Sequence, residues 1–275
     1  MTAATSTALA PADGRNRFDR LLLAEWTKIR SVRSTIWSLI LLVVLSVGFT
    51  ALFTALTATG WDDFTERDQA LIAGDPTSMI LGSGFMLGQL TVCVLGVMVI
   101  GSEYSTGMIR ASVLAAPRRL PMLAAKSVVF GVLVLVLGVL VSFASFYLGA
   151  AIINEKAPVS IGDPGVLRAV VGGGLYIAVL GLFALAIGSI VRHTAAGITG
   201  VIGFVLVLAP LAQLIPGRAG DYIHAYLPSE AGHLIAQAKQ APNDLLTPWQ
   251  GYGVFCLWTA ALLLVAAFLL KRRDA

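Results

Sequence analysis

Charge is scarce in this sequence: 12% of its 275 residues are Asp, Glu, Lys or Arg, against roughly 25% in ordinary soluble domains. With 57% hydrophobic residues and a mean hydropathy of +0.84, that shortage excludes a soluble globular enzyme. Cysteine is scarcer still. Cys93 and Cys256 both fall inside long apolar runs, where an inert buried thiol is the usual state, so they assign neither a disulfide nor a compartment. A phosphate-cradling G-x-x-x-x-G-K-[ST] loop is missing. The nearest stretch, AAKS ending at Ser127, lacks both glycines, so any ATP hydrolysis falls to a partner. The first residues lack the apolar core and small-residue cleavage site of a secretory signal, and residues 1–17 are expected to form a flexible tail that stays on the chain. The 28 glycines and 11 prolines follow no period, which excludes a collagen-like chain.

What the sequence does have is long charge-free runs at the ~20-residue length of a membrane-crossing helix. They lie at residues 36–58, 79–100, 127–153, 169–191, 194–215 and 245–270. A β-barrel would show ~10-residue alternating segments instead, so the fold class is an all-α membrane protein with six spans and both ends on one side. Residues 18–275 read as a single transmembrane domain after the tail. Fourteen of the 19 Lys and Arg fall on the tails and on the second and fourth loops, and ten of the 15 acids fall on the opposite loops. The excess of Lys and Arg marks the cytoplasmic side, which places both termini in the cytoplasm. The net charge of +4 is then a matter of topology and not of nucleic-acid binding.

None of the spans carries an ionisable residue at its centre, and His193, His224 and His233 all lie at loops or span ends. Intramembrane charges usually mark ion or proton paths, so proton-driven transport and intramembrane metal chemistry both lose ground. Asp221 with His224 and Glu230 with His233 share the i, i+3 spacing seen in helical metal sites, but such pairs are ordinary surface contacts far more often, and no metal site is assigned. Small residues recur as seams: Gly84 and Gly88 in the second span, Gly131, Gly138 and Ser145 in the third, Ala196, Gly200 and Gly203 in the fifth. Close helix packing accounts for them. Ser46, Thr50 and Thr54 form a mildly polar stripe on the first span, and Gln89 is the most polar side chain of the second. These four are candidates for lining a pathway, although hydroxyls bonding to their own helix give the plainer account.

Before the first span, Phe18, Leu21, Leu22, Trp26, Ile29 and Val32 share about 140° of a helical wheel, the pattern of an amphipathic helix lying along the membrane. Glu25 falls in the middle of that apolar arc, where an unpaired carboxylate is costly. It therefore requires a cationic or protein partner, and Lys28 at i+3 is the local choice. Between the second and third spans, a short helix fits residues 107–116, capped by Thr106 and closed by Pro117, with Arg118 and Arg119 directly after it. A capped helix on a basic loop has the form of a docking element. Near the other end, LPSEAGHLIAQAKQAP reads as a helix that starts at Ser229 and stops before Pro242.

The segments AEWTKIRSVRST, GSEYSTGMIRASVLAAPRRLPMLAAK and GSIVRHTAAG, in this order and placement, resemble the ABC-2 type transporter permeases from Phe18 onward. The resemblance implies six spans with cytoplasmic termini, pairing with a second permease copy or a sister subunit, and two copies of a separate ABC ATPase that bind ATP and Mg. It also implies that the loop after the second span couples to that ATPase. Glu103, Gly107, Arg110, Pro117, Arg118 and Lys126 then occupy its coupling pattern, with Arg119 beside them and Glu25 on the adjoining N-terminal helix. Relatives carry short re-entrant or interfacial helices on the outer side before the last span, which is where the Ser229 helix falls. The function implied is ATP-driven export of a hydrophobic or amphiphilic substrate such as a drug, antibiotic or lipid. The alternatives are a peptide-antibiotic resistance exporter of the same family and a stand-alone carrier without an ATPase. A membrane enzyme would need convergent acids, bases or a nucleophile, and only Glu25 and Glu103, with His193 nearby at most, offer any.

Overall fold

The computed structural model describes residues 14–105, 119–241 and 243–272. Among these there is no strand, and six helices are long and apolar enough to cross a membrane: Arg33–Thr59, Pro76–Tyr104, Leu120–Ile153, Val166–Val191, Thr194–Gln213 and Pro248–Arg272. An N-terminal helix, Gly14–Ser31, precedes them. Each expected run thus falls on one of the six spans. The helix expected over residues 107–116 lies outside the described residues, as do Gly107, Arg110, Pro117 and Arg118.

The spans reach furthest past their apolar runs at the end that carries the N-terminal helix. The third helix runs from Arg119 to Ile153, 35 residues, or about 52 Å at 1.5 Å per residue, well beyond the ~30 Å hydrocarbon core. Pro121 sits in its first turn, where the missing N–H costs nothing. The second helix continues to Ser105. Glu103 and Lys126 therefore ride on helical extensions at the membrane edge.

The fourth span is the hub. Of its most apolar window 78% is buried, against 61% for the second span and 22–28% for the other four. A helix enclosed on every side must let several neighbours approach its backbone, and Gly172, Gly173 and Gly174 make that possible. A β-carbon at Gly172 would collide with the carbonyl of Ile235, at Gly173 with the ring of Phe85, and at Gly174 with the backbone of Val139. Three consecutive residues thus admit the far-end loop, the second span and the third span, which is the expected use of glycine where backbones come close. These glycines lie within an unbroken helix and do not interrupt the start of the span.

The seams divide in an instructive way. Gly84 and Gly88 seat the first span: added β-carbons there would strike Thr50 and Ser46. Gly131 and Gly138 face the fourth span at Leu182 and Gly174. On the fifth span the expectation fails, because Gly200 and Gly203 have nothing within 4 Å. Gly197, Val201 and Val205 face the bundle instead. That span also loosens into a π-helical stretch at Gly203–Val207, just before Pro210, whose ring displaces the carbonyl four residues earlier and whose nitrogen donates nothing.

At the far end the loops are built as structure. Trp61–Asp63 and Glu66–Gly74 form short helices after the first span, and Arg218–Tyr226, Pro228–His233 and Leu234–Ala236 precede the last. The helix expected from Ser229 to Pro242 starts on cue but ends at Ala236, and the Arg218–Tyr226 helix is an addition. Arg168 Nη2 donates to the carbonyl of Ala238 at 3.0 Å, and the Lys239 amide donates to Asp75 Oδ2 at 3.2 Å. Lys239 Nζ also donates to the carbonyl of Gly74. Gly165 turns the chain into the fourth span at φ 84°, with the carbonyl of Ala238 directly over it.

Gly173→Val is expected to cost about 1–3 kcal/mol by forcing Phe85 off its site, whereas Gly48→Ala, which meets nothing within 4 Å, should be neutral. Heating the detergent-extracted variants and following the folded fraction by size exclusion separates the two. Equal melting would remove the close approach at Gly173 from the account.

Candidate functional site: a four-charge cluster at the base of the bundle

Glu25 is 4% exposed, Glu103 5% and Lys126 2%. Charged side chains survive such burial only when paired and hydrogen-bonded, and here they are paired with one another. Lys126 Nζ lies 2.6 Å from Glu25 Oε2 and 2.8 Å from Glu103 Oε1. Lys28 Nζ lies 2.8 Å from Glu25 Oε1 and 3.0 Å from Glu103 Oε1. Two carboxylates thus alternate with two ammonium groups, and the cluster is neutral as a whole.

Each member comes from a different constraint. Glu25 and Lys28 are one turn apart on the N-terminal helix, with Ile29 buried beside them and Leu23 exposed. Glu103 ends the second span and Lys126 begins the third. The partner that the misplaced Glu25 demanded is therefore double: the local Lys28 and, 101 residues away, Lys126. Burial pushes the Lys28 ammonium toward neutrality, but its hydrogen bond to Glu25 and the charges of both carboxylates outweigh that and raise its pKa above the ordinary 10.5. It is a fixed cation at any physiological pH. A cavity of about 190 Å³ adjoins the cluster, walled by Ile29, Val32, Thr35 and Val99.

Of the other expected site residues, Arg119 opens the third helix. Ser46, Thr50 and Thr54 are fully buried against the second span, where Thr50 Oγ1 donates to the carbonyl of Ile80 at 3.3 Å. The stripe thus serves as the packing face of the first span. Gln89 accepts a hydrogen bond from the Tyr176 hydroxyl at 3.0 Å, within an aromatic nest that includes Phe85, Phe255 and His233. Sequence reasoning missed this nest, although an unexplained Gln in an apolar helix was its signal. His224 pairs with Glu230 at 3.5 Å and with Gln213 at 2.9 Å, not with Asp221 as the i, i+3 spacing suggested. Among the described residues, no three His, Cys, Asp or Glu side chains gather as metal ligands. At the base, Arg192 closes the fourth span in the left-handed conformation and lays its guanidinium over Tyr104 at 5.4 Å.

These features define a multi-pass helical membrane protein whose N-terminal helix is locked by buried ion pairs to the roots of two spans. The model for ABC-2 family transporter proteins matches residues 21–209, more than half of the chain, and the chain belongs to that family. No curated protein matches it. It is thus a transport permease, of a family that works with ABC ATPase subunits. The matched segment includes all four charges of the cluster and stops before the short helices that precede the last span.

Lys126→Met should destabilise the folded protein by about 3–5 kcal/mol, since it leaves two buried carboxylates with Lys28 as their one shared cation, and Glu25→Gln added to it should recover part of the loss. Melting of the single and double variants in detergent tests this; additive losses would break the cluster as a unit. A second expectation concerns His233. Burial lowers its pKa from the ordinary 6.5 despite the pull of Glu230, so its seating is fully stable above pH ~6.5 and weakens as acid protonates the unfolded form first. Hydrogen exchange of residues 228–236 should speed up between pH 7.5 and 5.5 after correction for intrinsic rates, and His233→Gln should remove the difference.

Proposed function

We propose that the chain is the membrane subunit of an ATP-driven exporter, set in the plasma membrane with the charge cluster and both termini on the cytoplasmic side. Two permeases, identical or sister, pair with two ATPase subunits that bind ATP and Mg. The substrate is hydrophobic or amphiphilic. The excess of Lys and Arg at the base supports the orientation.

The observation that carries the reading is where the cluster sits. Residues 106–118, the segment with the composition of a docking element, are bracketed by Glu103 and Lys126, and both are tied to the N-terminal helix through Glu25 and Lys28. A push on this loop from a nucleotide-driven partner cannot reach one span alone. It moves the roots of the second and third spans together with the N-terminal helix, because separating them would expose unpaired charges in a poorly hydrated place. Glu25, Glu103 and Lys126 act in this reading as positioning residues, Arg110, Arg118 and Arg119 as the basic contact surface, and Gly107 and Pro117 as further residues of the coupling segment.

Co-purification of the tagged permease with a soluble ATPase from its own cell is the direct test. An ATPase at equal stoichiometry is expected, and Arg118→Glu with Arg119→Glu should abolish its retention while leaving membrane insertion intact. Unchanged retention would take that loop out of the interface. Absence of any ATPase under several gentle conditions would overturn the reading in favour of a stand-alone carrier.

A further inference from the structure

At the end of the bundle opposite the charge cluster, two hollows share one wall, Leu245 and Leu246. Every residue lining them lies at or beyond Gln213, outside the segment that matches the family. The first hollow, about 800 Å³, is polar. The carboxylates of Asp221, Glu230 and Asp244 face it, with the imidazoles of His224 and His233 and the amides of neighbouring side chains, and neither Lys nor Arg is among its lining residues. The second hollow, about 780 Å³, is an open apolar groove along the sixth span, bordered by Tyr226, Val254, Leu257 and Ala260. Its edge is held in place by the Trp258 indole N–H, which donates to the carbonyl of Tyr226 at 3.1 Å.

Two dimensions give the groove its meaning. From Gln250 to Ala260 it follows eleven residues of helix, a rise of about 15 Å, which is half of a ~30 Å hydrocarbon core and so the depth of one leaflet. At Gly253 a β-carbon would meet nothing within 4 Å, so the groove floor is open where a side chain would otherwise fill it. A polar chamber lined by acids thus lies against an apolar slot about one leaflet deep, with Leu245 and Leu246 bordering both. Charge complementarity sets the sign of the occupant: His233 is held toward its neutral form by burial, so the three acids are not offset by a fixed cation in the lining. Glu230 faces the imidazole of His224 at 3.5 Å and Asp244 accepts from the Ala241 amide, but three carboxylates without a Lys or Arg still repel an anionic head and favour a cationic one over a neutral one.

We propose that the two hollows form a single binding site for a cationic amphiphile, with an amine head among Asp221, Glu230 and Asp244 and a linear apolar tail in the groove over Gly253. Under the orientation proposed above, the site faces the outer leaflet. Calling the occupant a substrate rests on the exporter reading; binding itself does not.

The groove supplies its own reporter, since Cys256 lines it and is partly exposed whereas Cys93 is buried. Purified full-length permease, without any ATPase, would be placed in phosphatidylcholine nanodiscs and labelled with a membrane-permeant maleimide. Dodecylamine should slow Cys256 labelling saturably, by about tenfold or more, as charge-assisted contacts to carboxylates predict. Dodecanol and dodecyl sulfate should not. The triple variant Asp221→Asn, Glu230→Gln, Asp244→Asn should lose the protection while keeping its monodisperse elution. Gly253→Leu, which fills open space, should abolish saturable binding of radiolabelled dodecylamine above that of empty nanodiscs. Equal protection by dodecanol or dodecyl sulfate, or none by dodecylamine, would overturn the proposal. So would protection by phosphatidylethanolamine nanodiscs with no amine added, because the occupant would then be a bilayer lipid. Since the ATPase is absent throughout, failure here leaves the exporter reading untouched, and failed ATPase co-purification leaves this site untouched.

Discussion

Everything else in this fold is arranged around the fourth span, the most buried of the six. The fourth span can be enclosed only because Gly172, Gly173 and Gly174 let three neighbours come to its backbone at one level. In a membrane, association of helices draws little from the hydrophobic effect and depends on close packing and on satisfied polar groups, so such approaches are the main source of order. They also explain why the far-end loop is structured. The carbonyl of Ile235 lies against Gly172, and Arg168 from the same helix reaches the carbonyls of Ile235 and Ala238. The loop is thus held by backbone contact and by a guanidinium, and its own sequence needs to supply only short helices.

The opposite end is organised by charge. Lys126, almost fully buried, sits between two carboxylates from different helices, and Lys28 closes the arrangement from the rim with 30% of its side chain exposed. Buried ion pairs contribute little net stability compared with well-packed apolar residues, but breaking one is expensive. That asymmetry suits a joint that must hold a fixed arrangement under load. It fixes which helices stay together and leaves the rest of the span surfaces free to slide.

How much of this could be read in the sequence depended on whether the constraint was local. The spans were legible because a charge-free run near 20 residues has few other uses. Glu25 was legible as a misplaced carboxylate, and so was its bond to Lys28 one turn on. Lys126 was marked only by resemblance as a coupling position; nothing near it in sequence announces a partner 101 residues away. The seams show the limit of small-residue patterns. Gly84 and Gly88 do receive a neighbour, while Gly200 and Gly203 face away from the bundle, and residue size alone carries no direction. The Arg218–Tyr226 helix was missed because nine residues following Pro216 and Gly217 offer too few turns for a periodic signal. Gln89 was noticed as polar, but its partner Tyr176 lies 87 residues on, and only the fold brings them together.

The second span joins the two ends. Glu103 belongs to the charge cluster at its base, and Gln89, fourteen residues earlier, holds the Tyr176 hydroxyl in the aromatic nest that touches His233. Fourteen helical residues span about 21 Å, and Pro76–Ser105 is a single helix with its only proline at the first position. A stiff rod with a hydrogen-bonded polar group at each of two levels cannot shift at its base without a change at the nest. His233, packed edge-on to Tyr176 at 5.8 Å, brings the far-end helices into contact with that nest. The same histidine lines the anionic chamber. A continuous chain of contacts thus links the base of the second span to the far-end hollow through one helix, one amide, one phenol and one imidazole.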